Sequence, residues 1–134
     1  MSVQLNGRNV LGIASAPTLV FAGTGNDYQV VDGINCTFEM DQDHMAADFN
    51  VECSASVAPG TMSFALEVDG NVDLRNVITF TPGVTTVERY AGSFFIMVGP
   101  GRHQFRLMLV CTVANTITFT GRNRSVRFMF LSGE

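Results

Sequence analysis

Phe49-Asn50-Val51-Glu52-Cys53-Ser54-Ala55-Ser56-Val57 decides the fold class, because it alternates without a break. Phe49, Val51, Cys53, Ala55 and Val57 fall on one side, and Asn50, Glu52, Ser54 and Ser56 on the other. A period of two is the mark of a strand with one face in a core and one toward water. Pro59-Gly60 breaks the pattern, and Met62, Phe64, Leu66 and Val68 resume it until Asp69-Gly70, a dipeptide suited to a tight hairpin turn.

The same punctuation continues in both directions. Upstream lie Thr18 to Phe21, a glycine-rich turn, Tyr28 to Val31, the pair Asp32-Gly33 and then Ile34 to Met40; this reads as the start of a meander. Downstream, residues 74–80 are extended, Pro82-Gly83 turns the chain, and Val84 to Val98 forms a strand closed by Gly99-Pro100-Gly101. Arg102 to Val113, Thr116 to Thr120 and Ser125 to Leu131 follow. No stretch keeps apolar residues at helical spacing for three turns; Asp41 to Ala47 is the best helical fragment, a short turn or a loop. About eight strands with turns every 8–12 residues or so indicate an all-β, antiparallel, jelly-roll-like sandwich. A length of 134 residues suits one domain, read as an N-terminal arm or extended segment over 1–16 and the sandwich over 17–134.

Composition narrows the function classes. Charged residues make up 15% of the chain against about a quarter in typical domains, so its surface relies on uncharged polar groups. Interface centres are depleted in charge, which makes such a surface suited to lying against other protein. All eight basic residues are Arg, and the net charge of −4 opposes nucleic-acid binding, which depends on neutralising phosphates. No secretion signal or membrane-length apolar run opens the chain, so folding in a cytoplasm is expected. Three cysteines, Cys36, Cys53 and Cys111, do not make a disulfide framework, and the last two sit in buried-strand patterns as reduced thiols.

Three strands are apolar on both faces, more than a water-facing sandwich requires. Phe95 and Met97, Met108 and Val110, and Met129 and Leu131 are the second-face residues, and they form the candidate self-association surface. A loop of the same chain is the alternative cover. Arg122, Arg124 and Arg127 form a basic cluster suited to an acidic patch on a partner.

Chemistry has few candidates. Asp41, Asp43, His44 and Asp48 cluster in a stretch that could present carboxylates to calcium, but the EF-hand order is absent and a solvated acidic loop accounts for them. His103 shares a face with Phe105 and Leu107 and reads as a packed core-edge side chain. Glu67 and Asp69 read as ordinary solvated positions before a hairpin. No nucleophile elbow, phosphate loop or convergent acid–base pair occurs, so no enzyme, metal or cofactor is expected.

Val57-Ala58-Pro59-Gly60-Thr61, Val98-Gly99-Pro100-Gly101-Arg102-His103-Gln104-Phe105-Arg106-Leu107 and Gly121-Arg122-Asn123-Arg124-Ser125-Val126-Arg127-Phe128 together resemble the small jelly-roll domains of tailed-bacteriophage structural proteins, similar in architecture to TNF and C1q heads. The resemblance covers about residues 57–131. It implies a homo-oligomer, a trimer in preference to a dimer, assembled in the host cytoplasm into the virion, with no cofactor. Without a collagen-like, coiled-coil or β-helical shaft, the chain is more similar to a capsid decoration or cement protein bound across capsomer junctions, with the major capsid protein or another virion protein as partner and no membrane or nucleic-acid contact. A tail or baseplate module binding host surface carbohydrate is the alternative, opposed by the absence of Trp and by only two tyrosines, Tyr28 and Tyr90.

Overall fold

The computed structural model describes residues 3–11, 18–23, 28–40, 44–58, 60–97, 99–119 and 125–133. They contain eleven strands: β1 (Val3–Leu11), β2 (Thr18–Ala22), β3 (Gln29–Met40), β4 (His44–Ala55), β5 (Met62–Val68), β6 (Asn71–Val72), β7 (Ile78–Phe80), β8 (Glu88–Met97), β9 (Gly101–Cys111), β10 (Ala114–Phe119) and β11 (Ser125–Gly133). Every pairing is antiparallel. Six strands form one sheet in the order β1-β11-β4-β10-β2, with β8 on the other side of β4; five form the second, β3-β9-β5-β6, with β7 also on β5. The chain passes back and forth between the sheets, as in a jelly roll. The all-β, jelly-roll-like sandwich is therefore the fold. More strands appear than expected because β6 and β7 are very short and the N-terminal segment is itself a strand, pairing along β11 from Val3↔Gly133 to Leu11↔Ser125.

The core follows from alternation. β4 turns Phe49, Val51 and Cys53 inward, β8 adds Phe94 and Ile96, and the facing sheet answers with Met62, Phe64, Leu66, Phe105, Leu107 and Leu109. At the centre the Phe49 ring lies 4.8 Å from Phe64 and 5.3 Å from Phe94. Gly92 faces Phe49 in register. A β-carbon there would come within 2.7 Å of Ile78 Cδ1 and 2.9 Å of Phe49 Cε1, so the glycine makes room for the ring cluster. We expect Gly92→Ala to cost about 1–3 kcal/mol by overpacking, read as a lower urea midpoint at unchanged slope. A wild-type midpoint would mean that the cluster shifts without strain.

Local signals were resolved in two ways. Asp69-Gly70 is the two-residue hairpin turn expected, with φ of 51° and 89°, joining β5 to β6 through the Val68↔Asn71 pair. Asp32-Gly33 is not a turn between strands. It lies in an irregularity inside β3, where Val30 pairs with Met108 and Asn35 with Arg106, so the strand gains residues and continues along the same neighbour. The helical or loop reading of Asp41–Ala47 is also corrected over its described part: His44 begins β4 and pairs with Met97. Val57, expected inside, lies past the end of β4 and is exposed.

The link from β4 to β5 is fastened by a residue with no local signal. Asn115 is buried, its Oδ1 accepting from Ser56 N at 2.9 Å, Ser56 Oγ at 3.0 Å and Val57 N at 3.1 Å, while its Nδ2 donates to Val57 O at 3.2 Å. One carboxamide thus holds the main chain of Ser56 and Val57 where the link leaves β4.

Candidate interaction face

β8 and β4 lie side by side in the six-stranded sheet, with β11 and β1 beyond them. β8 alternates, with Tyr90, Phe94 and Ile96 buried and Phe95 and Met97 turned outward at 48% and 54% exposure. Register runs Phe95↔Ala46 across β8 and β4, Ala46↔Met129 onto β11, and Met129↔Gly7 onto β1. Met97 stands opposite His44, and Leu131 opposite Leu5. Four of the six residues read as a self-association surface, Phe95, Met97, Met129 and Leu131, therefore occupy register positions on one face.

Met108 and Val110 do not join them. They lie on the other sheet, Met108 between Val30 and Ala65 in register and Val110 opposite Ser63, and they are buried to 5% and 3% exposure within this chain. Their assignment to a self-association surface is corrected: the second apolar face of β9 is covered by the chain itself.

Polar groups border the apolar row. Ser93 Oγ donates to Asp48 Oδ1 at 2.6 Å, and Arg89 approaches Glu52 at 3.7 Å. Arg127 stands opposite Asp48 in register, while Arg122 and Arg124 lie outside the described residues. Asn50 Oδ1 is buried with no hydrogen-bond partner among the described residues. Such an acceptor is unusual in a native structure.

The other titratable groups are structural. Glu67, expected to be solvated, is instead buried and paired with Arg106 directly opposite it, Arg106 Nε donating to Oε1 at 2.7 Å and Nη2 reaching the same oxygen. His103 lies at one end of the sandwich, Nδ1 at 2.6 Å from Asp69 Oδ2 and Nε2 at 2.7 Å from Gly99 O. Asp69 also accepts from Gln104 N at 2.8 Å. The side-chain bond to Asp69, then the Gly99 carbonyl, raises the imidazole above its ordinary pKa, and the bond to His103, then that to Gln104 N, lowers the Asp69 carboxyl. With both ring nitrogens facing oxygens, the protonated imidazole ties the β5–β6 turn to the β8–β9 turn.

The linkage has a definite sign. A raised histidine contributes stability present below its unfolded value near ~6.5 and lost as pH rises through its folded value; a lowered carboxyl contributes above ~3.9 and loses its share as pH falls. Wild type should therefore gain thermal stability relative to His103→Gln on going from pH 8 to pH 5.5, modestly because Asp69 is exposed to solvent. Equal pH dependence in the two proteins would show that the bond does not hold in solution.

Cys53 and Cys111 are free and buried. Burial, with smaller effects of Cys111 and Glu88, pushes the Cys53 thiol up to about 12, and burial pushes Cys111 up to about 11. Since the thiolate is the reactive form, both should resist iodoacetamide at pH 8 until denaturant is added, as read by peptide mapping. Rapid labelling of either in the folded protein would mean that the core opens. Of the acidic loop, Asp41 and Asp43 lie outside the described residues, and His44 and Asp48 are on strand β4. Among the described residues no three His, Cys, Asp or Glu side chains come together as a metal site.

No family model matches the sequence. No curated protein matches it either. Solved structures do match by fold. The chain superposes over 95% of its length on 32% of a chain of infectious bursal disease virus, Gt strain, with a TM-score of 0.62 and 10% identity. Murine APRIL matches over 94% of this chain and 98% of its own, with a TM-score of 0.57 and 9% identity. The CBM36-1 domain of a multidomain xylanase from the hindgut metagenome of Trinervitermes trinervoides matches over 96% of this chain and 100% of its own, with a TM-score of 0.50 and 11% identity. At such identities the likeness is one of fold, shared by proteins with different roles.

Proposed function

We propose that this chain is a non-enzymatic virion structural protein of the capsid decoration or cement type, self-associating through the outer face of its six-stranded sheet. The observation that carries the reading is the exposed Phe95–Met97 pair, set on an uncharged row that continues in register through Ala46 to Met129. An apolar row on an outer sheet face is a desolvation site, and the chain's low charge keeps association from stranding unpaired charges. The preferred assembly is a homotrimer, which presents several weak contacts at once, so that avidity supplies the hold on a shell. Support for a non-catalytic role comes from His103, whose ring nitrogens both face acceptors, and from the buried thiols.

The test is binding to phage shells stripped of accessory proteins. Wild type should bind saturably at fixed stoichiometry, and Phe95→Asp/Met97→Asp should bind at least about tenfold more weakly, the equivalent of ~1.4 kcal/mol. No binding to shells together with specific glycan binding would replace this reading with the carbohydrate-recognition module.

A further inference from the structure

β8 is an edge strand, and it carries none of the usual protections along its apolar half. Its inner edge is hydrogen-bonded to β4 from Glu88↔Cys53 to Met97↔His44. From Tyr90 to Met97 it contains no charge and no proline, and its register with β4 has no bulge. Long, flat, uncharged edges of this kind recruit further strands, and natural proteins block them.

A side chain blocks this one. Asn76 presents its carboxamide to the main chain of Phe95: Oδ1 accepts from Phe95 N at 3.2 Å, and Nδ2 donates to Phe95 O at 2.7 Å. This two-point contact imitates one residue of a neighbouring strand. The carboxamide is held in place by Asp73, which accepts from Asn76 Nδ2 at 3.1 Å and from Arg75 N and Nε at 3.1 Å and 3.0 Å. Because the residues of an antiparallel strand alternate in the direction of their N–H and C=O groups, Ala91 and Ser93 point theirs to the same outer edge as Phe95. Among the described residues no main-chain partner meets those two.

We infer that the Asp73–Asn76 turn is an edge guard, which keeps β8 from adding the β8 of a second copy as an antiparallel strand. A second copy is the fitting occupant because the self-pairing sets no like charges opposite one another. Centred on Ser93, it places Ala91 against Phe95 and Arg89 against Met97. The guard keeps the edge closed; its loss opens it. The inference does not depend on the face-to-face association proposed above.

The experiment compares wild type, Asn76→Ala and Asn76→Ala/Ala91→Pro by light scattering over a dilution series, with amide exchange resolved along β8. Proline at 91 removes an outward N–H and is tolerated at an edge. In wild type the Phe95 amide should exchange about five- to tenfold more slowly than those of Ala91 and Ser93. Asn76→Ala should form concentration-dependent species heavier than wild type, in which the Ala91 and Ser93 amides become protected, and Ala91→Pro should abolish them. Wild-type exchange equal at the three amides, an Asn76→Ala mass equal to wild type, or heavier species that survive Ala91→Pro would each overturn the inference. The wild-type exchange decides the matter even if Asn76→Ala fails to fold.

Discussion

Phe49→Ala should lower stability by about 3–5 kcal/mol, the range for deleting a buried aromatic ring. Phe49 is 2% exposed and stands where the two sheets meet: its ring contacts Phe64 from the opposite sheet, Phe94 from the neighbouring strand, and Phe80 edge-on at 6.5 Å. Alanine removes the buried area and the ring–ring contacts together, and Gly92, opposite in register, has no side chain to move into the space. Domains of this size hold about 5–15 kcal/mol in all, so a large fraction of the total is at stake. Phe49→Leu should cost under half as much, since it keeps most of the volume. A loss below about 1 kcal/mol for alanine would mean that the facing sheet collapses into the cavity and that the ring cluster does not fasten the two sheets.

Arg106→Met should cost about 2–4 kcal/mol at neutral pH, somewhat below the ~3–5 kcal/mol for breaking a fully buried pair because a third of the Arg106 side chain meets solvent. Methionine keeps the aliphatic stem but leaves the Glu67 carboxylate buried without its cation. The cost is a desolvation cost, so removing the carboxylate as well should restore stability. Arg106→Met/Glu67→Leu should recover most of the loss, and the double-mutant cycle should give a coupling well above the ~0.5 kcal/mol of independent sites. Additive losses would show the pair to be solvated in solution, whatever its geometry.

The sequence carried the framework well where one rule applied at a time. The inward residues of β4 from Phe49 to Ala55 and of β5 from Met62 to Leu66, and the Asp69-Gly70 turn, read correctly because each depends on nearest neighbours. Asp32-Gly33 misled because the same dipeptide serves a hairpin and an irregular strand; what decides is that both halves of β3 pair with β9, a long-range fact. Glu67 misled for a related reason, since its partner Arg106 lies 39 residues away.

The candidate face was legible in part. Second-face apolarity marked Phe95, Met97, Met129 and Leu131, but it equally marked Met108 and Val110. Periodicity marks a second apolar face; it does not say whether the chain itself covers it. Asn76 and Asn115 carried no signal at all: each is a polar residue near a turn, and its importance appears only when Phe95 or the Ser56–Val57 main chain is folded against it.

The central claim, association through the outer face of the six-stranded sheet, is tested most directly by the solution mass of the wild-type chain from micromolar to submicromolar concentration, beside folded Phe95→Asp/Met97→Asp. The account predicts a trimer that dissociates only on dilution, and a variant that is monomeric at every concentration with an unchanged strand spectrum. A wild-type chain that is monomeric throughout, or an oligomer that the two aspartates leave intact, would contradict it.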